Sequence, residues 1–285
     1  MIAVTGATGQ LGRLVVTGLL DAGVPAAEVT ALVRDEARAA DLAARGVQVA
    51  VADYTDPTGL RAALTGVDRL LLVSGSEVGQ RVAQHTNVVE AAVAAGVGLL
   101  VYTSAPKADA TTLVLAPEHA ATERAIAAAG IPAVVLRNNW YWENYDTQVQ
   151  QAAATGQLAG SSGAGRAFPA SRADFAAAAV AVLTDEQASP GVHELGGDQP
   201  FVLADLAAEV GRQTGTEVVC ADLSADEHRA VLLGAGLDEG TAGFVVALDG
   251  NIAAGELDAG QGGISALTGR PTRTLAEHVA LVLGR

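Results

Sequence analysis

The sequence predicts a doubly wound α/β fold, in which helices cover both faces of a parallel β-sheet, with a smaller and mostly helical C-terminal lobe. Two observations lead to this prediction. Short runs rich in Val, Leu and Ile alternate with helical stretches through the first half of the 285-residue chain. A glycine-rich turn also joins the first run to the first helical stretch.

The apolar runs are nearly continuous in aliphatic residues, as expected of parallel strands that are buried on both faces. Consecutive parallel strands of one sheet are joined by right-handed crossovers. The predicted strands are residues 1–5, 28–33, 47–51, 68–73, 97–103 and 132–137.

The stretches between these strands have helical features. Leucines and valines recur at helical spacing over the first stretch. Asp56 and Pro57 supply an N-cap and a first-turn proline, and Gly130 is placed to end a helix. The predicted helices are residues 10–22, 36–45, 56–65, 79–95 and 117–129.

The pattern changes after residue 150. The Gly- and Ser-rich stretch 156–165 is typical of a loop, and residues 192–195 are predicted to form a short strand. We expect the C-terminal lobe to lie over the carboxyl edge of the sheet, where open α/β folds bind ligands. The predicted helices of this part are residues 173–184, 203–213, 224–235 and 272–283.

The composition excludes several classes of function. A net charge of −15 argues against nucleic acid or an anionic membrane as a partner, and no apolar run is long enough to span a membrane. Cys220 is the only cysteine, so we expect no disulfide; the five histidines form no ligand cluster, and we predict no metal site. Because Met1 leads directly into a strand, we expect a cytoplasmic protein.

The turn after the first strand predicts a dinucleotide-binding site of the Rossmann-like kind. Its three glycines have the spacing G-x-x-G-x-x-G. Gly6 lets the chain turn sharply, Gly9 lets a pyrophosphate approach the backbone, and Gly12 lets the helix pack closely. The helix N-terminus then offers N–H groups and a positive dipole end to the phosphates. The predicted ligands are Gly6, Ala7, Thr8, Gly9, Gln10, Leu11 and Gly12.

Arg34, directly after the second strand, indicates which dinucleotide binds. An NAD site usually carries an acidic residue there, whereas an arginine suits the 2′-phosphate of NADP. Arg13 and Arg38 could add positive charge, and we expect Asp35 to cap the next helix. The sequence therefore favours NADP(H); the alternative is that Arg34 is an ordinary surface arginine.

Three more strand ends are expected to line the same crevice. The residues after the third strand would flank the adenine, those after the fourth the ribose, and those after the fifth the nicotinamide. Ordinary turn chemistry explains each of them equally well. The residues are Asp53 and Tyr54, then Ser74, Gly75 and Ser76, then Thr103 and Ser104.

These features predict a division of the chain into two domains. We expect residues 1–150 to form an NADP-binding domain, with residues 171–198 packing back on it. Residues 151–170 and 199–285 would form the smaller substrate lobe.

Segments along nearly the whole chain resemble the atypical short-chain dehydrogenase/reductases. Within that superfamily the chain is similar to the NmrA-like group, and there to the type-2 NADPH:quinone oxidoreductases. The glycine turn is common to many families, while residues 74–81 and 136–145 are more specific. The segments are MIAVTGATGQLG, LLLVSGSEVGQR, LVYTSA, GIPAVVLRNNWYWENY and GRPTRTLAEHV.

The resemblance implies that Gly6 to Leu11 hold the pyrophosphate, Arg34 the 2′-phosphate and Ser74 to Ser76 the ribose region. It also implies that a second set of residues approaches the nicotinamide half. Asn139 stands where the family's glycine is expected, and Trp142 is bulkier than expected, so the pocket should differ there. The second set is Asn87, Asn138, Asn139, Trp140, Tyr141, Trp142, Glu143 and Arg172.

The acid of typical short-chain dehydrogenases, a Tyr-x-x-x-Lys motif, is missing. The only lysine is Lys107, and Thr103 stands four residues before it. His119 and Glu123 occupy the expected place of the motif as i, i+4 neighbours on one helix face. They are either a catalytic pair or a surface polar pair. The candidate catalytic residues are Asn138, Tyr141 and His119.

The missing acid restricts the hydride acceptor. Reducing a ketone leaves an alkoxide whose conjugate acid has a pKa of about 16, whereas a quinone leaves a phenolate-like anion with a pKa near 10. The difference of about 6 units corresponds to about 8 kcal/mol of stabilisation that a quinone reductase does not need. Water or His119 could supply the later protons.

An aromatic cluster after the sixth strand suits a flat, uncharged acceptor. The alternative is that these rings pack between the sheet and the lobe. Arg137 and Asn138, at the end of that strand, could fix the carboxamide of the cofactor. The cluster is Trp140, Tyr141, Trp142 and Tyr145.

The leading hypothesis is an NADPH-dependent reductase of small quinones that works by direct hydride transfer without a flavin. The alternative is an NmrA-like NADP(H)-sensing regulatory protein, which would bind cofactor and a protein partner without turnover. A reductase of carbon–carbon double bonds is disfavoured, because such relatives tend to keep a lysine in the active helix. The sequence leaves open whether the chain forms a homodimer.

Overall fold

The computed structural model describes residues 1–75, 77 and 79–285, and this part of the chain contains nine strands and twelve α-helices. The strands are β1 (Ile2–Val4), β2 (Val29–Val33), β3 (Gln48–Val51), β4 (Arg69–Leu72), β5 (Leu99–Ser104), β6 (Ala133–Asn138), β7 (Gln157–Gly160), β8 (Gly191–Leu195) and β9 (Val219–Asp222). The helices are α1 (Gln10–Asp21), α2 (Ala40–Ala44), α3 (Pro57–Ala63), α4 (Arg81–Ala95), α5 (Ala116–Ala129), α6 (Asp146–Thr155), α7 (Arg172–Thr184), α8 (Leu203–Thr214), α9 (Ala225–Gly234), α10 (Glu239–Ala253), α11 (Gly263–Thr268) and α12 (Leu275–Val282).

Seven strands form one sheet in the order β3-β2-β1-β4-β5-β6-β8. The five pairs from β3 to β6 are all parallel. The strand order runs in opposite directions on the two sides of β1, so crossovers of one hand place the helices on both faces. The predicted doubly wound parallel sheet is confirmed.

The chain forms two compact units. Unit 1 consists of Met1–Asp109, Leu115–Asn138 and Arg172–His193. Unit 2 consists of Ala110–Val114, Asn139–Ser171 and Glu194–Arg285.

Unit 1 buries aliphatic side chains between its helices and strands. Helices α3, α4 and α5 pack side by side and enclose a cluster that includes Leu60, Leu72, Leu100 and Tyr102. Helices α1 and α7 pack against each other so closely that a Cβ on Gly18 would lie 3.0 Å from Val180 Cγ2. Both faces of the strands are therefore covered, which explains their continuous aliphatic sequence.

Arg69 joins the late segment of unit 1 to the sheet. This residue begins β4, and its Nη1 lies 3.1 Å from the Leu183 carbonyl oxygen and 2.6 Å from that of Asp185. These carbonyls lie at the C-terminus of α7, where a cation is favourable. The contact explains how a segment from residue 172 onward returns to the first sheet.

Unit 2 contains a feature that the sequence did not predict. Residues 156–165 are not only a loop, because β7 lies within them and pairs in parallel with β9. Gly160 packs directly against Leu203, because a Cβ at this position would overlap the Leu203 side chain. Gly160 and Gly165 mark close contacts, whereas Gly156 and Gly163 have positive φ angles of +70° and +55°, as turn glycines do.

Other boundaries also differ from the prediction. Residues 36–45 form a 3-10 turn (Glu36–Ala39) followed by the short α2 rather than one helix, and α6, α10 and α11 were not predicted. In the described part of the chain, we find no helix with both the length and the apolar character needed to cross a membrane.

Candidate functional site

The glycine turn after β1 leaves the N-terminus of α1 open. Gly6 has a φ of +57°, and its carbonyl accepts a hydrogen bond from the Gly9 N–H at 2.8 Å. Among the described residues, no side chain caps α1 at Gly9. A Cβ on Gly12 would overlap the Gly6 carbonyl oxygen, so only glycine allows the helix to start this close to the turn. The turn therefore presents N–H groups and the positive end of a helix dipole, which suit a phosphate.

The predicted pyrophosphate residues divide by exposure. Gly6, Gly9 and Gln10 are exposed, and Thr8 is half-buried. Ala7 and Leu11 are buried, and the Ala7 N–H donates to the Leu32 carbonyl at 3.2 Å. The buried residues anchor the turn to the sheet, while the exposed ones are accessible to a ligand.

Arg34 lies at the end of β2 with its side chain largely exposed. Its Nη1 lies 3.0 Å from Glu77 Oε1. Arg13 points elsewhere: it pairs with Asp41 and donates to the Arg38 carbonyl at 2.8 Å. Of the predicted arginines, Arg34 thus presents its guanidinium at the strand end, while Arg13 ties α1 to the segment after β2.

Asp35 takes the capping role expected for it. Its Oδ1 accepts a hydrogen bond from the Ala37 N–H at 3.0 Å. A carboxylate used in this way caps the turn that follows β2, which leaves Arg34 as the charged residue at the strand end.

The end of β3 is held to its neighbours by Tyr54 and Asn87. The Tyr54 hydroxyl lies 2.5 Å from Thr5 Oγ1 and 2.9 Å from the Val73 carbonyl oxygen. Asn87 Nδ2 donates to the Tyr54 carbonyl at 2.8 Å. Burial raises the pKa of Tyr54, so its phenol stays protonated and serves as a hydrogen-bond donor between strand ends.

Asp53 is ionised beside this group. Its carboxylate accepts hydrogen bonds from Thr55 Oγ1 at 2.5 Å and from the Thr55 N–H at 2.7 Å. The bond to the Thr55 hydroxyl, then that to the Thr55 N–H, lowers the pKa of Asp53. The residue keeps a negative charge at the edge where the adenine was expected.

The segment after β4 is held through both backbone polar groups of one residue, Gly75. His85 Nε2 accepts a hydrogen bond from the Gly75 N–H at 3.0 Å, and Arg81 Nε donates to the Gly75 carbonyl at 2.8 Å. The Ser74 N–H donates to Thr103 Oγ1 at 2.9 Å. Ser76, predicted beside the ribose, lies outside the described residues.

A buried ion pair extends this anchor to α5. Arg81 Nη1 lies 2.6 Å from Glu118 Oε2, and the Gly79 N–H donates to Glu118 Oε1 at 2.8 Å. Arg81 is almost fully buried. In the sequence Arg81 stands within one of the segments that carry the resemblance, and its charge gave no sign that it would be buried. Its position, four residues before His85, is the signal that both face one side of α4.

His119 and Glu123 are both largely buried within unit 1, but their side chains make hydrogen bonds to different partners. His119 Nδ1 lies 2.8 Å from the Tyr102 hydroxyl oxygen. Glu123 Oε1 accepts a hydrogen bond from Ser104 Oγ at 2.5 Å. The alternative of a surface polar pair is wrong, since both side chains are largely buried.

Burial lowers the pKa of His119 to about 3, with smaller contributions from Arg81 and His85. The imidazole is therefore neutral at pH 7 and carries no imidazolium proton. Whatever its role, His119 acts as a hydrogen-bonding partner of Tyr102 at that pH.

Arg137, expected to fix the carboxamide of the cofactor, bonds to carboxylates in the structure, and the expected role stays a prediction. Its Nε and Nη2 lie 3.0 and 2.6 Å from the two oxygens of Glu123, and its Nη1 lies 2.8 Å from Asp109 Oδ1. This is the bidentate geometry of a strong pair. Arg137 thus ties β6 to α5 within unit 1. Its neighbour Asn138 ends β6 and is buried, and Arg172 begins α7 half-buried.

In unit 2, Asn139 links three parts of the chain. Its Nδ2 donates to the carbonyls of Leu257 and Ala259, both at 2.9 Å, and its Oδ1 accepts from the Trp140 N–H at 2.7 Å. The Asn139 N–H donates to the Leu195 carbonyl at 2.8 Å. The amide that replaces the expected glycine therefore holds unit 2 together.

The four predicted aromatic residues do not share one environment. Trp142 and Tyr145 are buried in the core of unit 2, where their ring centroids lie 5.1 and 5.0 Å from that of Phe201. Trp142 Nε1 also donates to the Arg273 carbonyl at 3.1 Å. Trp140 and Tyr141 are half-buried, as is Glu143. Half-buried Trp140 also packs against this core, so packing explains three of the four rings, Trp140, Trp142 and Tyr145.

Lys107 is the one non-glycine residue with a positive φ, +47°, in the described part of the chain. It follows β5 closely and is half-buried. A left-handed backbone is unusual for a residue with a Cβ. In the sequence Lys107 is notable only as the sole lysine, with Thr103 and not a tyrosine four residues before it, and nothing there indicated its backbone conformation.

Comparison with known proteins decides the family. The model of the NmrA-like family matches residues 1–232. The chain belongs to the NmrA-like family. Quinone oxidoreductase 2 of Escherichia coli is 45% identical to this NmrA-like chain over 280 residues, which cover 98% of each protein. The resemblance found in the sequence is thereby confirmed.

Two solved structures are similar to this chain over nearly its whole length. An NADPH-dependent quinone oxidoreductase of Escherichia coli complexed with NADPH matches with a TM-score of 0.96 and 44% identity, over 99% of this chain and 100% of that chain. The triphenylmethane reductase of Citrobacter sp. complexed with NADP(H) matches with a TM-score of 0.95 and 35% identity, again over 99% and 100%. The match extends over the whole length of both structures, so it includes both units.

Proposed function

We propose that this NmrA-like protein is an NADPH-dependent quinone reductase. The observation that carries the proposal is the near full-length similarity to quinone oxidoreductase 2, at 45% identity. Similarity at this level extends to both units and not to the sheet alone. The alternative of a regulatory protein that binds NADP(H) without turnover has less support.

The residues of unit 1 fit the coenzyme. The uncapped N-terminus of α1 offers N–H groups to the pyrophosphate at the turn from Gly6 to Gly12. Arg34 offers a guanidinium, which bonds a 2′-phosphate in a way that a 2′-hydroxyl cannot reproduce. When bound, NADPH supplies a hydride, and the proposal needs no flavin.

The chemistry of the acceptor follows from what the chain lacks. With Lys107 as the sole lysine, no Tyr-x-x-x-Lys acid is available. His119 is neutral at pH 7 and does not replace that acid as an imidazolium. Hydride transfer to a quinone gives an anion whose conjugate acid has a pKa near 10, so this anion needs less stabilisation from the site than the alkoxide formed from a ketone. Water then protonates the resulting monoanion to give hydroquinone.

The residues expected near the nicotinamide half remain candidates that rest on the resemblance. Among the predicted rings, Trp140 and Tyr141 are only half-buried, and we propose that they contact the flat acceptor. We propose Asn138 and Tyr141 as the polar groups that orient coenzyme and acceptor. Asn139 and Trp142 act on them indirectly, because their polar groups bond within unit 2. The candidates near the nicotinamide half are Asn87, Asn138, Asn139, Trp140, Tyr141, Trp142, Glu143 and Arg172, and those near the ribose are Ser74 and Gly75.

The test is steady-state oxidation of NADPH with small benzoquinones and naphthoquinones. We expect turnover that is saturable in both substrates and yields hydroquinone in a 1:1 ratio to NADP⁺. Coenzyme binding without turnover above the uncatalysed background would support the regulatory alternative instead. A cytoplasmic location and a homodimer stay predictions, to be checked by fractionation and by sedimentation.

Arg34→Ala tests the coenzyme assignment. The variant should lose about 1.5–3 kcal/mol of NADPH binding free energy, the scale of a charge-assisted hydrogen bond, and keep its NADH affinity. Titration calorimetry with both coenzymes measures this. Equal losses for the two coenzymes would mean that Arg34 does not bind the 2′-phosphate.

A further inference from the structure

Glu77 is an acidic side chain that is fixed beside Arg34 and has no role in the chemistry above. Its Oε1 lies 3.0 Å from Arg34 Nη1. Its Oε2 accepts a hydrogen bond from Gln84 Nε2 at 2.9 Å. Gln84 is buried on α4, so one of the two partners of the carboxylate belongs to the interior of unit 1.

The backbone is also held two residues before and two residues after Glu77, at Gly75 and Gly79. Gly75 is bonded through its N–H to His85 and through its carbonyl to Arg81. Gly79 donates its N–H to Glu118. These partners lie on α4 and α5 and are largely buried. Glu77 is therefore placed beside Arg34 by the fold, and not by a chance meeting of two surface side chains.

A carboxylate and a phosphate make the same demand on a guanidinium, since both accept its N–H groups and both carry negative charge. Resting on the coenzyme site proposed above, we propose that Glu77 competes with the 2′-phosphate for Arg34 and so sets how strongly the protein prefers NADPH over NADH.

The two coenzymes meet Glu77 differently. The 2′-phosphate of NADPH must replace the Glu77 carboxylate on Arg34 and then remain close to a second anion. NADH carries a hydroxyl at that position and leaves the ion pair in place. Glu77 thus weakens NADPH binding and leaves NADH binding unchanged, and the effect is larger at low ionic strength because salt screens exposed charges.

The experiment compares Glu77→Gln with wild type by titration calorimetry, using NADPH and NADH. Glutamine keeps the shape of the side chain and can still accept the Gln84 hydrogen bond. We expect the Kd of Glu77→Gln for NADPH to fall about threefold to tenfold, the range for loss of an exposed ion pair together with a repulsion, while the NADH value stays within about twofold. Raising the salt concentration should reduce the gain.

Glu36→Gln is the matched control, because it removes one negative charge two residues from Arg34 in an exposed turn. It should change neither Kd. In an Arg34→Ala background, Glu77→Gln should improve NADPH binding by less than about twofold, since the competition requires Arg34.

Unchanged or weaker NADPH binding in a folded Glu77→Gln variant, judged by an unaltered melting temperature, would overturn the inference. An equal gain in Glu36→Gln would also overturn it, since net charge would then be the cause. Failure of the proposed function looks different: wild type would then bind no NADPH or reduce no quinone, whatever residue stands at 77.

Discussion

At the scale of single residues, His85 shows how a backbone hydrogen bond fixes a tautomer. Because His85 Nε2 accepts the Gly75 N–H, its proton is on Nδ1 and is donated to Thr122 Oγ1 at 3.0 Å. Thr122 in turn donates to the Glu118 carbonyl at 2.9 Å. A second proton on the ring would remove the acceptor that holds Gly75. Burial, and then the charge of Arg81, lowers the pKa of His85 to about 3, which keeps the ring neutral.

The buried histidines His85 and His119 should make the stability of unit 1 depend on pH. In the unfolded chain His85 and His119 titrate near 6.5, and in the folded chain near 3, so the unfolded state binds more protons between these values. Stability is full above pH 6.5 and should fall as the pH drops towards 3, by up to about 1.4 kcal/mol per pH unit for each histidine.

Urea unfolding at pH 7, 6 and 5 measures this dependence. His85→Gln should flatten the slope, whereas His193→Gln, a half-buried histidine on β8, should leave it as in wild type. Identical slopes for wild type and His85→Gln would contradict the role given to burial.

At the scale of elements, the join between β1 and α1 depends on glycine packing. Gly12 lies against the Gly6 carbonyl, and the Gly6 backbone is left-handed. The turn is thus a backbone-to-backbone contact, and neither partner is a flexible side chain that could move aside. The same contact orients the N–H groups of the α1 N-terminus.

Gly12→Ala should therefore damage both stability and coenzyme binding. We expect the free energy of unfolding to fall by about 1–3 kcal/mol, the cost of overpacking, and the Kd for NADPH to rise. Gly234→Ala is the control, because a Cβ there meets nothing within 4 Å; it should stabilise α9 by about 0.5–1 kcal/mol. Wild-type NADPH affinity in Gly12→Ala would show that the loop tolerates a side chain.

At the scale of the whole molecule, unit 1 is assembled from three separate stretches of chain. The last of them, from Arg172 to His193, is joined to the sheet through packing of α7 on α1 and through Arg69. Closing a long loop costs little more entropy than closing a short one. A few contacts are therefore enough to hold residues 172–193 against the rest of unit 1.

Arg69→Met tests this connection. Loss of the charged donor leaves carbonyls at the end of α7 without their cation, and we expect a loss of about 1.5–3 kcal/mol of stability. Limited proteolysis should cut the variant within residues 172–193 before other sites. Arg124→Met, at an exposed arginine of α5, should behave as wild type; cleavage of both variants at equal rates would mean that Arg69 does not hold the segment.

The sequence predicted the parts of the fold that depend on local pattern. The strands β1 to β6 are aliphatic runs, and the α3 N-cap at Asp56 is a local signal that the structure confirms with bonds to Thr58 and Gly59. Strand β7 and helix α10 were missed because glycines interrupt their sequences. There Gly160 and Gly243 permit close contacts with Leu203 and Arg229, which only the folded chain reveals.

The site was predictable where its chemistry is local. The glycine turn and Arg34 follow strand ends directly, so their position could be inferred. The partners of Arg137 were not predictable, because Glu123 and Asp109 come from other parts of the chain. Spacing also could not tell that Trp142 and Tyr145 turn into a core, since neighbouring positions of an irregular segment point in unrelated directions.

The left-handed backbone at Lys107 gives the molecule a built-in reporter. A protease specific for lysine has one cleavage site in the entire sequence, and the bond it cuts joins Lys107 to the buried Ala108. Cleavage into two defined fragments therefore requires local opening of the segment after β5. The rate of that single cut, followed with and without coenzyme, would measure how much ligand binding suppresses local opening of the segment after β5.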